Sequence, residues 1–178
     1  MPKKTAKKST SSKASKKTPP QSASHDQLLR EQLLFLLKGG GAHINFADAI
    51  SGWTFRLAGV KVAKFPHTPW MLLEHMRIGQ FDILEFSRNP KHVSPKWPEE
   101  YWPATETPPN EKAWVASAAA FKKDMRAMEN LISDRKADLY APIPWGDGQT
   151  LLREALLLAD HNAYHLGQLV TLRKSIGI

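Results

Sequence analysis

Apolar residues recur along this chain at helical spacing, and the polar residues between them carry the signals that start and stop helices. Ser24-His-Asp-Gln27 reads as a capping box, in which a side chain satisfies the first free amides of a helix. Leu28, Leu29, Leu33, Leu34, Leu36 and Leu37 then form one apolar face. Gly39-Gly40-Gly41 ends that helix, because glycine loses the most backbone entropy on ordering. A shorter helical piece is predicted around 44–51, and residues 52–67 read as a connection with ambiguous alternation near Phe55–Phe65. Thr68-Pro69 places a capping hydroxyl before a proline at the first helical position. The helix it opens should run to about Ser87 and bury Trp70, Leu73, Met76, Phe81 and Leu84 in some combination, with Asn89-Pro90 as its stop. Asn110 caps a third long helix with a seam of Trp114, Ala118, Phe121, Met125, Met128 and Ile132. Thr150 opens a fourth, running to about Lys174 and apolar on nearly every side, which predicts a central position. The pattern specifies an all-α protein, a four-helix bundle over residues 24–178.

Two stretches fall outside that pattern. Six of the 13 prolines lie between 90 and 109, together with Trp97, Tyr101 and Trp102. So long a proline-rich connection predicts a packed, functional loop. The Trp97–Trp102 segment reads either as a pocket wall or, preferably, as packing over the bundle end. Residues 1–23 hold lysine, serine, threonine, alanine and proline with no aromatic or branched aliphatic side chain, and are expected to be a disordered basic tail.

Charge sharpens this division. The net charge is +8, and the seven lysines of the tail account for nearly all of it. The body is close to neutral, so any nucleic-acid association would act through the tail. There is no cysteine, which excludes disulfides, thiolate ligands, iron–sulfur clusters and a cysteine nucleophile. No apolar run reaches the roughly 18–20 residues a bilayer span needs, and the tail lacks the apolar core of a secretory signal. A cytoplasmic protein without membrane contact is the expectation.

The chemistry lies in the histidines. His161 and His165 are four apart on the fourth helix, so both rings project from one face. His75 lies mid-helix among Leu72, Leu73, Met76 and Ile78. Buried imidazoles on two packed helices suit a three-nitrogen metal site; they equally suit three separate core histidines, each bonded to a carbonyl or hydroxyl. A zincin motif is excluded, since Asn162 stands where a general-base glutamate would follow the first ligand. Glu74, Asp160 and Glu154 are spaced either to orient an imidazole N–H or to make surface or interhelix polar contacts, Gln168 to face a substrate, and Tyr164 to face a substrate or equally to pack in the core. Gly167 would allow close helix contact. His43 could approach the site, with a capping role as the simpler reading, whereas His25, His67 and His92 read as solvated.

His161-Asn-Ala-Tyr-His165-Leu-Gly-Gln168, Thr68-Pro-Trp-Met-Leu-Leu-Glu-His75 and the Trp-Pro-Glu-Glu-Tyr-Trp-Pro run at 97–103 together resemble the DinB/YfiT-like superfamily, over roughly residues 26–175. The resemblance implies an up-down-down-up four-helix bundle, commonly a homodimer, with a divalent metal on His75, His161 and His165. It further implies a small-molecule substrate and either transfer chemistry with an external low-molecular-weight thiol or hydrolysis. A non-catalytic metal-binding or sensing bundle with the same ligands is the alternative. Three neutral imidazoles leave the ion's charge uncompensated and favour an anion in its open positions. Imidazole ligation suits zinc, nickel or iron alike. Because protonated imidazole cannot coordinate, lowering the pH toward 5 is expected to release the metal.

Overall fold

The computed structural model describes residues 24–178, and the tail lies outside the described residues. Among these the protein is all-helical. It comprises α1 (His25–Lys38), a short α2 (Phe46–Ile50), α3 (Pro69–Arg88), α4 (Glu111–Ser133) and α5 (Leu151–Ser175), with one 3₁₀ turn at Glu99–Tyr101. The capping residues act as their chemistry dictates. Ser24, Asn45, Thr68, Asn110 and Thr150 each accept a hydrogen bond from a first-turn amide of the helix they precede. Gly39 closes α1 at φ +66, where a side chain would be strained. The stretch near Phe55–Phe65 forms turns and no strand.

Packing directions follow from named contacts. The start of α1 meets the end of α4 through Arg30, whose guanidinium donates to the carbonyls of Ile132, Asp134 and Ala137. α3 and α4 pair start to start, because Ser117 Oγ bonds Glu74 and Gln80 Nε2 donates to the Phe121 carbonyl over 2.6 Å. α3 and α5 pair start to end: Leu72 and Leu73 share one core with Leu169 and Leu172, and Leu84 another with Leu151. Two parallel neighbours cannot be joined by a tight turn. The chain must return along all 20 residues of α3, about 30 Å at helical rise. The proline-rich loop makes that return. His92 bonds Asp82 near the end of α3, and the Glu106 carbonyl accepts from Thr68 Oγ1 at its start.

Two helices differ from their sequence patterns. Phe81, expected inside, is 44% exposed. α5, expected to be surrounded, buries Glu154, Asn162 and His165 and turns Leu156, Leu157 and Tyr164 outward. Asn162 is held by Gln80 on α3, Glu154 and His165 find partners on α5 itself in Arg153 and Gln168, and Leu156, Leu157 and Tyr164 are left on the surface.

Arg30 is 6% exposed and carries the junction of α1 with the α4–α5 connection. Arg30→Ala leaves three carbonyls without their charged donor and should cost about 2–3 kcal/mol, read from urea unfolding. A change below about 0.5 kcal/mol would show that water replaces the guanidinium freely.

Candidate metal centre

Helical spacing delivers the three rings. His161 and His165 project from one face of α5 and His75 from the facing side of α3, and one ligating nitrogen from each lies within 4.8 Å of the others. His75 Nε2 and His161 Nε2 are 3.1 Å apart. Two imidazole nitrogens bound to one ion at about 2.0–2.1 Å stand roughly 3.0–3.4 Å from each other, so this pair already has the required separation. His75 and His165 are buried and His161 half-buried.

The outward nitrogens fix which atom is free to ligate. His75 Nδ1 donates to the Tyr101 carbonyl over 2.8 Å, and a carbonyl can only accept, so Nε2 keeps its lone pair. His165 Nδ1 donates to Gln168 Oε1 over 2.7 Å with the same result. His161 Nδ1 is buried without a partner, as is the Oδ1 of the adjacent Asn162. The amide of Asn162 is held by its other end: its Nδ2 donates to Gln80 Oε1, and Gln80 donates to the Phe121 carbonyl.

The surroundings keep the imidazoles uncharged. Burial, with the neighbouring His75 adding to it, lowers the His161 pKa to about 4. Burial does the same for His165, also to about 4, against the opposing bond to Gln168. His75 is lowered by burial as well. Neutral, desolvated rings, two with a lone pair turned inward and the third with one nitrogen lacking a partner, are a donor set that fits a divalent cation.

One wall comes from the proline-rich loop. Trp102 stacks on His75 with ring centroids 3.9 Å apart and 3° between planes, and His67 stacks on its other face at 4.1 Å. The segment thus lines the site, contrary to the preferred sequence reading of packing over the bundle end. Asp82 anchors the loop, accepting from Tyr101 Oη over 2.5 Å and bonding His92 Nε2 over 2.8 Å. Burial and the Asp82 carboxylate together raise the Tyr101 pKa, so its proton stays in place.

The other expected residues divide. Gln168 orients His165, as its spacing allows. Tyr164 is 65% exposed and stands edge-on to His165 at 4.9 Å. Glu74 touches no imidazole; it binds Arg77 through both oxygens and also Ser117, and these bonds hold its carboxyl below the usual range despite burial. Glu154 is buried two turns from His161 against Arg153, where burial raises its pKa. Asp160 is exposed. The carbonyl of Tyr101 fills the role foreseen for these carboxylates, and no side-chain pattern advertises a backbone oxygen. His67 and His92, expected to be solvated, are half-buried and partnered by Trp102 and Asp82, whereas His43 is exposed and bonds the Ile44 carbonyl. Close helix contact occurs at Gly79, where an added Cβ would stand 3.2 Å from His161 Cε1; at Gly167 it would meet nothing within 4 Å.

This fold and site define an all-helical bundle with a three-histidine cluster compatible with metal binding. A family model described as the DinB superfamily matches residues 21–169, and the chain belongs to that superfamily. No curated protein and no solved structure matches it.

Gly79→Val places methyl groups where the His161 ring lies and should weaken zinc binding tenfold or more in chelator competition while helical content is retained. Unchanged affinity would mean that α3 yields without moving the ring. A second outcome concerns the metal-free protein. His161 and His165 titrate near 4 when folded and near 6.5 when unfolded, so the unfolded chain binds more protons between those values. Stability should therefore fall as the pH drops through that window, and the urea midpoint of a His161→Ala/His165→Ala double variant should fall less steeply.

Proposed function

We propose that the protein is a divalent-metal-dependent enzyme that holds its ion on His75, His161 and His165 and acts on a low-molecular-weight thiol or on water. The observation that carries this reading is the convergence of three Nε2 and Nδ1-tuned imidazoles, two of them locked with a lone pair inward by the Tyr101 carbonyl and Gln168. When bound, a divalent ion there supplies a Lewis acid with uncompensated positive charge, which favours the anionic form of a small ligand.

The chain's own residues set the conditions for that chemistry. Asn162 Oδ1 would accept a hydrogen bond from His161 Nδ1–H if His161 held the ion through Nε2, which would give both unpartnered buried atoms a bond. Trp102 shields the His75 side from water. Tyr164, whose hydroxyl bonds no other described residue, stands exposed beside His165 and borders the side from which a substrate would enter. With no cysteine in the chain, a reacting thiol comes from outside. The pairwise helix directions support an up-down-down-up order for the four long helices. No helix among the described residues is long and apolar enough to cross a membrane.

Elemental analysis of purified protein should find one equivalent of a divalent metal, lost in His161→Ala. A metal-free wild type that regains no metal on reconstitution would overturn the assignment. Turnover of electrophiles with a panel of small thiols, or of esters and amides with water, separates an enzyme from a metal-stabilised binding bundle. The pH at which metal leaves is set by the pKa of the free ligands. Since burial moves His161 and His165 to about 4, the ion should remain bound at pH 5 and dissociate closer to pH 4. Complete release by pH 5.5 would show imidazoles that behave as solvated ones.

A further inference from the structure

A second feature lies on another face of α5. Ala159, Asn162 and Leu166 form a strip about 100° round the helix from His161 and His165, and it floors a cavity of about 350 Å³ between α1, α2, α4 and α5. That volume falls in the lower part of the range of small-molecule sites, about 300–1,000 Å³. The interior is apolar: Phe46 and Phe121 are stacked at 4.0 Å, with Leu37, Met125 and Leu166 beside them. Lys38, Lys122 and Arg126 also line it, and none of the three forms an ion pair among the described residues. Glu129 is the one acid in the lining and is paired with none of them. Lys122 Nζ stands 5.9 Å over the Phe46 ring, at the boundary between charge and apolar surface.

We propose that this cavity binds an amphipathic carboxylate, with a medium-length aliphatic or aryl body against Phe46, Phe121 and Leu166 and its head among Lys38, Lys122 and Arg126. The occupant follows from complementarity. An apolar chamber rewards burial of a hydrocarbon body, and three unpaired cations against one acid favour an anionic head over a neutral or cationic one. The volume suits about eight to ten carbons better than a long acyl chain. The site is separate from the three histidines, so it requires no metal.

Calorimetric titration with octanoate and with 1-octanol, on metal-free and zinc-loaded protein, tests this. Octanoate should bind once per chain in both forms, and octanol at least tenfold more weakly. The triple variant K38E/K122E/R126E should lose octanoate binding by tenfold or more. Ala47→Trp, which fills the chamber without changing charge, should abolish it while the melting temperature shows the fold intact. Equal affinity for octanoate and octanol, or unaltered binding in the triple variant, would overturn the charge argument. Binding that requires zinc would place the carboxylate on the metal instead and defeat the proposal.

Discussion

Three neutral, desolvated imidazoles converging on one point are the constraint on which this structure turns. Left alone, such an arrangement is unfavourable: each ring is desolvated, and the inward nitrogens of His75 and His165 offer lone pairs for which His161 Nε2 is the one nearby donor. Burial makes the alternative, protonation, costlier still, which is why His161 and His165 titrate near 4. The protein resolves part of the conflict by supplying acceptors on the outward side, from the Tyr101 carbonyl and Gln168. The third ring keeps a buried nitrogen with no partner. A cation at the centre would give all three inward nitrogens a shared partner, with which this donor set is compatible.

The proline-rich loop belongs to the same constraint. Parallel pairing of α3 with α4 obliges the chain to travel back along α3, and the return path carries Tyr101 and Trp102 over His75. Asp82 makes that passage specific by binding Tyr101 and His92 at once. A connection forced by topology thereby supplies one ligand's orienting carbonyl and an aromatic wall. Asp82 acts on the site through the loop and contacts none of the three rings by a hydrogen bond.

Much of the fold was legible in the sequence because caps and stops are local chemistry. Ser24, Thr68, Asn110 and Thr150 each need only the next few residues to do their work, and each begins a helix where it was expected. His161 and His165 were legible for the same reason, since a spacing of four fixes a shared face. The rest depends on partners far away in sequence. Glu74 lay one residue from His75 but was claimed by Arg77 and by Ser117, 43 residues on. Trp102 and His67 looked like loop residues until the fold stacked Trp102 on His75 and His67 on the other face of Trp102. Gly79 carried no signal at all, because the feature that matters there is the absence of a side chain opposite another helix's ring.

α5 shows why hydrophobic patterning misjudged its position. A helix read as apolar on nearly all sides was expected at the centre, yet the residues it buries include Glu154, Asn162 and His165. Burying these groups is unfavourable unless each meets a partner, and Arg153, Gln80 and Gln168 provide them. With those polar groups on the inward arc, Leu156 on the opposite side of the helix and Leu157 and Tyr164 at the flank of that arc lie on the surface. The same allocation sets Asn162 between two features: its neighbour His161 faces α3, and its own side chain helps floor the cavity beside α1 and α4. Gln80, reaching from the Phe121 carbonyl to the Asn162 amide, fixes that side chain from the α3 side. A substitution at Asn162 would therefore disturb the ligand set and the cavity together, which no residue confined to one face of α5 could do.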